Sequence, residues 1–370
     1  MTSLTSADVR ELREALEASG AFERDSGPAW RRFFVLLVVG GVLGAVAVQG
    51  PLWLSCLTLP LASLALTVAA LYGHEGGHKS LSRSATENSL MLHLAFPFLG
   101  GLGAQYWCHK HNVRHHGYPN VVGATLKGAD LQASDPDLDL WPMASSKVDY
   151  DAAGSVRRVF QRYCPGYCFW PLTALLVFAM RLQSLQYLFG RIRTRGMERA
   201  VALDLAALAG HYLCWIVAPG LAFGFVPTVA FYVALWTFSG LYLAAIFVGA
   251  HFGMPVFASP GDPWSLQLRT TRNLRLPRWA AWAMVGLDHQ VEHHLFPRMA
   301  HARMPAAARI VHEWAARKGV PHESMGFGHA LVEATRFMHL AWREVPIAGA
   351  AVDADADATG EAGSPATATV

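Results

Sequence analysis

The chain has 370 residues, of which 53% are apolar and only 15% are charged, and its mean hydropathy is positive at +0.25. A soluble domain carries about 25% charged residues, so this composition excludes an intrinsically disordered chain and argues against an ordinary soluble one. Five cysteines are too few for a disulfide scaffold, and a net charge of +3 gives no reason to expect a nucleic-acid partner.

The N-terminal 32 residues are polar and predict a short amphipathic helix followed by a loop. Four uncharged apolar runs come after them, at 33–49, 52–72, 205–223 and 228–250. Each is close to the ~20 residues that a helix needs to cross a bilayer, and short turns join them in pairs. The sequence therefore predicts four transmembrane helices in two hairpins.

Two weaker apolar segments, 90–107 and 169–190, contain polar or helix-breaking residues. We expect them to lie in the interface or to re-enter the bilayer without being counted as spans. Together these features predict an all-α membrane protein with four transmembrane helices, interfacial helices and a cytoplasmic helical cap. Its membrane domain would cover residues 33–346, between the cytoplasmic N-terminal segment 1–32 and a disordered tail, 347–370, rich in Ala, Asp, Gly, Thr and Ser.

Basic residues predict the orientation of this domain. They flank both hairpins and are absent from the turns inside them. The flanking residues are Arg31, Arg32, Lys79, Arg83, Arg191, Arg193, Arg195, Arg199, Arg269, Arg272, Arg275 and Arg278. Because Lys and Arg collect on the cytoplasmic side of a membrane, both termini and the long middle segment are predicted to face the cytoplasm.

Seventeen histidines are present, many of them in three clusters on this same predicted side. In the first cluster, GHEGGH, His74 and His78 are four residues apart and share one face of a helix. Taken alone, this cluster also matches the H-E-x-x-H signature of zinc metalloproteases, with Glu75 as the general base.

The second cluster is HKHNVRHH, residues 109–116. Here a helix predicts a shared face for His111 and His115, with His116 reaching a neighbouring metal. The third cluster, DHQVEHH, spans 288–294, and His289 and His293 are again four residues apart. Imidazole binds Zn, Cu, Fe and Ni alike, and so many imidazoles exceed what one tetrahedral zinc uses. The clusters predict two metal ions without choosing the metal.

These clusters resemble the three histidine boxes of the integral-membrane fatty acid desaturase family. Its pattern is H-x(3–4)-H, then H-x(2–3)-H-H, then [H/Q]-x(2–3)-H-H, on two hairpins with cytoplasmic boxes. The segment QVEHHLFP, residues 290–297, is similar to the acyl-lipid and front-end branch, as are HGYPNVVG after the second cluster and the DPDL that begins at Asp135. The resemblance covers roughly residues 45–309.

The resemblance implies a di-iron centre whose ligands are His74, His78, His111, His115, His116, His293 and His294. It also implies His251, which stands where family members carry a histidine just after the fourth span. Helical spacing favours His289 for the first position of the third box, whereas the family pattern favours Gln290, so both are candidates. Glu75, Asp288 and Glu292 are candidates for orienting the imidazoles.

The activity that the resemblance implies is O₂-dependent removal of two hydrogens from an acyl chain, carried on a lipid or on CoA, to leave a cis double bond. Some front-end members carry a fused cytochrome b5 with an HPGG motif, which this sequence lacks. Electrons are therefore expected from a separate donor, a ferredoxin or a cytochrome b5. Trp107, Trp236, Tyr242 and Trp282 are interpreted as core or membrane-belt residues, with an acyl tunnel as the alternative.

Three other functions fit part of the pattern. A membrane hydroxylase or ketolase acting on lipids or carotenoids would share the iron and differ in its product. An intramembrane zinc protease would use the first cluster and leave the other two unexplained. A haem or metal carrier would need histidine pairs on facing spans, whereas these histidines lie outside the apolar runs.

Overall fold

A computed structural model describes residues 4–122, 134–139, 142–164, 166–343 and 347–348. Four of its helices are long and apolar enough to cross a membrane: Gly27–Gln49, Leu52–His78, Arg199–Phe223, which contains a π-helical stretch, and Phe225–His251. They fall in two consecutive pairs, so the predicted hairpins are confirmed. Each helix extends beyond its predicted apolar run, and the second and fourth end on histidines.

The helices before the second hairpin are α1 (Ser6–Ala18), α2 (Gly27–Gln49), α3 (Leu52–His78), α4 (Ala85–His93), α5 (Ala104–Trp107), α6 (Lys147–Ala152), α7 (Ser155–Tyr163), α8 (Phe169–Thr173) and α9 (Leu176–Arg195). π-Helical segments cover Leu94–Gly100 and Cys108–His115, and 3-10 turns cover Pro136–Leu138 and Gly166–Cys168. The segment predicted as interfacial or re-entrant at 169–190 contains a 65° bend between α8 and α9.

The remaining helices are α10 (Arg199–Tyr212), α11 (Ala218–Phe223), α12 (Phe225–His251), α13 (Pro263–Thr270), α14 (Arg278–Met284), α15 (Gln290–Leu295), α16 (Met304–Lys318) and α17 (Phe327–Leu340). The π-helical stretch Leu213–Val217 joins α10 to α11, and a 3-10 turn covers His301–Arg303.

Within the described ranges, four short strands form two parallel pairs. β1 (Val256–Phe257) pairs with β4 (Ile347–Ala348), and β2 (Arg272–Arg275) pairs with β3 (Glu323–Gly326). Strand β4 consists of the first two residues of the tail predicted over 347–370. The rest of that tail lies outside the described residues.

Hydroxyl groups lock α3 against α12 inside the membrane region. The Ser63 hydroxyl donates to the Leu235 carbonyl at 2.7 Å, and the Thr67 hydroxyl donates to Ser239 Oγ at 2.7 Å. Ser63 Oγ and Ser239 Oγ are themselves 3.0 Å apart. These groups are buried, and a polar group away from water needs such a partner. The contacts therefore fix the relative position of the two helices that carry histidines at their ends.

The extramembrane part has a core of its own. Helix α1 begins with a capping box between Thr5 and Asp8, and it buries Leu12 and Leu16 against α16 and the segment after α15. Trp314 of α16 is almost fully buried in the same cluster. This packing holds the third histidine cluster, on α15, over the ends of the spanning helices.

Candidate metal centre

The first histidine cluster forms the last turn of α3. His74 and His78 lie on one face, as their spacing predicts, with ring centroids 4.6 Å apart. Glycines between and beside them admit close neighbours: a Cβ atom at Gly76 would lie 2.6 Å from the Asn88 carbonyl oxygen, and one at Gly73 would lie 2.8 Å from the Phe96 ring. Helix α3 thus carries two imidazoles straight from the bilayer into a packed interior.

The second cluster lies on the π-helical segment Cys108–His115, not on an α-helix. The backbone N–H of His116 donates to the carbonyl of His111 at 2.9 Å, so residues five apart come together. Their Nε2 atoms are 3.2 Å apart. His111 and His115 share a face, as their spacing predicts, since their rings stack with centroids 5.2 Å apart, but their nitrogens face different neighbours.

The helix that carries the third cluster begins one residue later than the spacing of His289 and His293 suggests. Helix α15 starts at Gln290, and His289 precedes it with a non-helical backbone. The His289 side chain is 20% exposed and lies 3.5 Å from Asp288, outside the imidazole groups found among the described residues. Gln290 is buried, and its amide donates to the Leu287 carbonyl at 2.8 Å. His293 and His294 both point into the interior.

The structure gathers the clusters into two groups of imidazoles. The ligand atoms within each group all lie within 4.8 Å of one another. The first imidazole group contains His74, His78, His111 and His293, and the second contains His115, His251 and His294. His116 lies between the groups, because it forms a further set with His293 and His294.

The spacing of the nitrogens fits metal ions. Two nitrogens bound at about 2.1 Å to one metal lie about 3.0 Å apart when the angle between them is 90°. His74 Nε2 is 2.9 Å from His111 Nε2, and His116 Nε2 is 3.0 Å from His293 Nε2. The Nε2 atoms of His78, His251 and His294 are buried with no hydrogen-bond partner among the described residues. Buried nitrogens need a partner, and a metal supplies one.

Burial keeps most of these imidazoles neutral. It lowers the pKa of His111, His116, His293 and His294 well below the usual 6.5, and neighbouring imidazoles lower each pKa further. A neutral imidazole is the form that binds a metal. Burial also lowers the pKa of His115, but the Asp135 and Asp137 carboxylates outweigh it, so that this pKa rises.

Each member of the second imidazole group has its Nδ1 atom occupied by the protein. His115 Nδ1 lies 3.1 Å from Asp135 Oδ1, and His294 Nδ1 lies 2.8 Å from Gln267 Oε1. His251 Nδ1 lies 3.2 Å from the Thr270 carbonyl. Such acceptors place the proton on Nδ1 and leave the lone pair of Nε2 for a metal.

The carboxylates expected to orient imidazoles have different contacts. Glu75 accepts the backbone N–H of His301 at 2.8 Å. Glu292 accepts from Asn273 at 2.7 Å and lies 2.9 Å from His322 Nε2. Asp288 lies beside His289, and burial raises its pKa. These three residues brace the segments around the imidazoles.

Sequence reasoning missed three residues beside the centre. Asp135 had a signal, because the DPDL segment contributed to the resemblance, but nothing linked it to His115. Gln267 lies in α13, far along the chain from any cluster. His301 lies seven residues past the third cluster, and its Nε2 is 3.1 Å from His74 Nδ1. Only the folded chain brings the last two to the centre.

Three further histidines have structural contacts. His211 lies between the Phe98 carbonyl, at 3.0 Å, and the Tyr232 hydroxyl, at 2.7 Å. His93 lies 3.4 Å from the buried carboxylate of Asp204. His109 stacks on Tyr187, away from both imidazole groups.

An apolar cavity of about 190 Å³ reaches both imidazole groups, since His74, His111 and His251 are in its wall. Its apolar wall comprises Leu71, Phe96, Leu102, Trp107, Phe169, Leu176, Met180, Leu243, Ala244, Phe247, Val248 and Phe252. A smaller cavity of about 60 Å³, bordered by Trp236, shares several of these residues. Trp107 therefore lines the larger cavity and Trp236 the smaller one. The Tyr242 hydroxyl instead donates to the Ala283 carbonyl, and Trp282 is half exposed.

Polar residues stand at one side of the larger cavity: Lys110, Asn120, Asp135 and Asp137. Lys110 donates to Asp137, so the two charges offset each other. A largely apolar molecule that carries a polar group suits such a space, and three imidazoles are in the same wall.

Comparison with known proteins agrees with this geometry. A family model described as "Fatty acid desaturase" matches residues 50–325. The "Delta(8)-fatty-acid desaturase" of Helianthus annuus is 25% identical over 91% of this chain and 73% of its own length. The "sn-1 linoleoyl-lipid 6-desaturase" of Synechocystis sp. is 27% identical over 73% of this chain and 74% of its own length.

A third relative is the "Delta(5) fatty acid desaturase fat-4" of Caenorhabditis elegans, 28% identical over 67% of this chain. The match covers 55% of that relative, so the chain spans little more than half of its length. The family match covers most of the present chain and includes all three histidine clusters. The chain therefore belongs to the fatty acid desaturase family and is an oxidoreductase of the membrane, as its clusters predict.

Proposed function

We propose that this desaturase uses two iron ions and O₂ to introduce a cis double bond into an acyl chain. The observation that carries the proposal is the meeting of two imidazole groups beside one apolar cavity. When bound, the irons would supply the O₂-driven removal of hydrogen from two adjacent methylenes, with electrons from outside. The all-nitrogen donor set is compatible with iron, and the family favours iron over zinc or copper.

The proposed ligands of one iron are His74, His78, His111 and His293. Those of the other are His115, His251 and His294, with His116 serving either ion. His289 or Gln290 as a further ligand stays a prediction. The hydrogen bonds to Nδ1 in the second imidazole group support this assignment, because they orient each ring before a metal arrives.

The cavity would hold the acyl chain by burying it among apolar side chains and excluding water. Position then decides which carbons react, because a misplacement of about 1 Å costs roughly 10²-fold in rate. Trp107 stacks against His111 with centroids 4.6 Å apart, so one cavity wall and one proposed ligand are held together. The polar residues at the side of the cavity suit the ester or thioester end of an acyl lipid or acyl-CoA.

The orientation follows the basic residues around the hairpins. We place both termini and all three clusters in the cytoplasm. A soluble or membrane-bound one-electron carrier, a ferredoxin or a cytochrome b5, would then reach the centre from that side.

The test is expression in a host whose fatty acids are known, followed by mass spectrometry of the extracted acids. We expect a new acid two hydrogens lighter from the wild type and none from His293→Ala, with both proteins in the membrane fraction. His329→Ala, at an exposed histidine, is the matched control and should behave like the wild type.

Purified protein should contain about two irons per chain. An acid that gains oxygen would identify a hydroxylase or ketolase instead. One zinc with peptide cleavage lost in Glu75→Gln would identify a protease, and a Soret band would identify a haem carrier. Normal desaturation by His293→Ala would refute its place among the ligands.

A further inference from the structure

His301 lies outside the three histidine clusters, in the 3-10 turn His301–Arg303. It is nevertheless one of the most deeply buried histidines, with 2% of its surface exposed. Its ring contacts His74 of the first imidazole group, with centroids 5.1 Å apart and Nε2 at 3.1 Å from His74 Nδ1. A buried imidazole that touches a proposed ligand and is not itself in either group calls for an explanation.

The two nitrogens of His74 have separate neighbours. Nε2 faces His111 and the first imidazole group, at 2.9 Å from His111 Nε2. Nδ1 faces His301. If Nε2 is the ligand atom, the proton of the neutral ring is on Nδ1, and the His301 Nε2 lone pair is its acceptor. No other hydrogen bond to His74 Nδ1 occurs within the described part of the chain.

We propose that His301 is a positioning residue, which accepts the Nδ1 proton of His74 and thereby holds His74 Nε2 toward the first metal. The inference rests on the proposed function, since it assumes that His74 binds a metal. His301 would thus be a hydrogen-bond acceptor for an Nδ1 atom of the first imidazole group, as Asp135 and Gln267 are for the second. Partners of this kind change metal affinity by about 10- to 100-fold.

The backbone around His301 is built to keep the ring in place. Its N–H donates to the buried carboxylate of Glu75 at 2.8 Å, and Glu75 is the residue next to His74. Gly286 packs against the other side: its φ is +83°, and a Cβ atom there would lie 2.7 Å from the His301 carbonyl oxygen. The first cluster and the turn after the third are thus joined by two hydrogen bonds, through Glu75 and through His74.

His301, whose Nδ1 carries the proton in this arrangement, is in the wall of a third cavity. This atom is buried, and the backbone of Val285 is a hydrogen-bonding neighbour of the ring. The cavity has a volume of about 560 Å³, and its wall includes the carboxylate-bearing residues Glu75 and Asp288. It is polar and large enough for water, which can accept the Nδ1 proton. Both ring nitrogens of His301 can therefore be hydrogen-bonded when Nε2 accepts the proton of His74.

The test measures metal release from purified, iron-loaded protein in detergent. An excess of a ferrous chelator is added, and the absorbance of the chelate gives the release rate of each iron. We expect His301→Leu to release one iron per chain 10- to 100-fold faster than the wild type. His301→Gln, whose amide oxygen reaches a similar position, should stay within a few-fold of it. His329→Leu, at an exposed histidine, should not differ.

Glu75→Ala provides a second route if His301→Leu is poorly folded by size-exclusion chromatography. It removes the acceptor of the His301 backbone N–H and should also speed the release of one iron. Release at the wild-type rate from His301→Leu, or equal acceleration in His301→Gln and His301→Leu, would overturn the inference while leaving two irons in place. Wild-type protein that binds no iron would instead overturn the proposed function, and this inference with it.

Discussion

Gly76, between the two histidines of the first cluster, lies against the backbone of α4. A Cβ atom at this position would be 2.6 Å from the Asn88 carbonyl oxygen and 2.8 Å from the Leu92 nitrogen. Both atoms belong to the main chain, so no side-chain rotation relieves the contact. An ordinary contact of about 3.4 Å requires α3 and α4 to separate by about 0.8 Å.

The variant Gly76→Ala is therefore expected to lose both stability and activity. Overpacking costs about 1–3 kcal/mol, and the better helix propensity of alanine returns about 1 kcal/mol. Gly41, on the exposed face of α2, has open space around it, and a methyl group there would meet nothing within 4 Å. Gly41→Ala therefore gains the stability from helix propensity without the cost of overpacking. The two variants should differ by about 1–3 kcal/mol, with Gly41→Ala the more stable.

Purified protein is heated and then run on a size-exclusion column. The temperature at which half of the protein is lost from the monodisperse peak should differ by several degrees between the variants. Desaturation by Gly76→Ala should fall on the order of 10- to 100-fold, because the shift moves His74 and His78 relative to the other ligands. Equal stability and equal product yield from the two variants would refute this account of the glycine.

Contacts elsewhere in the molecule support three more predictions. Asp135→Leu should release the iron of the second imidazole group about 10- to 100-fold faster, measured with a chelator. Because Asp135 raises the pKa of His115, iron binding by the wild-type second imidazole group should weaken as the pH falls through that raised pKa. In Asp135→Asn this weakening should begin at a lower pH. Met180→Trp, at the junction of the two apolar cavities, should lower the yield from long acyl chains about tenfold more than from short ones, by mass spectrometry of the products. The Asp204 carboxylate, 3.4 Å from His93 Nε2, is the main cause of the raised pKa of His93. The stability from this pair is therefore complete below pH 6.5 and is lost as the pH rises through that raised pKa, and melting curves should show this loss in the wild type and not in Asp204→Ala. That variant should also be about 1–3 kcal/mol less stable, because the Gln105 N–H loses its acceptor.

The spans and the family could be predicted from the sequence because each depends on local pattern. Apolar runs of the length of a bilayer predict helices without reference to the rest of the fold, and the spacing in GHEGGH places His74 and His78 on one face. The same rule predicted the shared face of His111 and His115, but it did not indicate the π-helical backbone over 108–115 that brings His116 to His111.

The partners of the imidazoles could not be predicted for a different reason. Asp135 follows His115 by 20 residues, and Gln267 precedes His294 by 27. His301 is 227 residues from His74. A hydrogen bond between such distant positions leaves no periodic trace in one sequence. The histidine boxes indicate where metals bind, and the folded chain alone identifies what orients the rings.

The hydroxyl contacts between α3 and α12 bear on the spacing of the two imidazole groups. Thr67 is 11 residues before His78, which is about 16 Å along a helix, and His251 ends the other helix. Each helix therefore runs from the fixed contacts at Ser63, Thr67 and Ser239 to a tip that carries a proposed metal ligand, His78 on α3 and His251 on α12. A 5° change of tilt would move a tip by about 1.4 Å over this length. Because helix tilt is set by packing against neighbouring helices, these buried contacts would hold the distance between the two imidazole groups constant when the bilayer thickness changes.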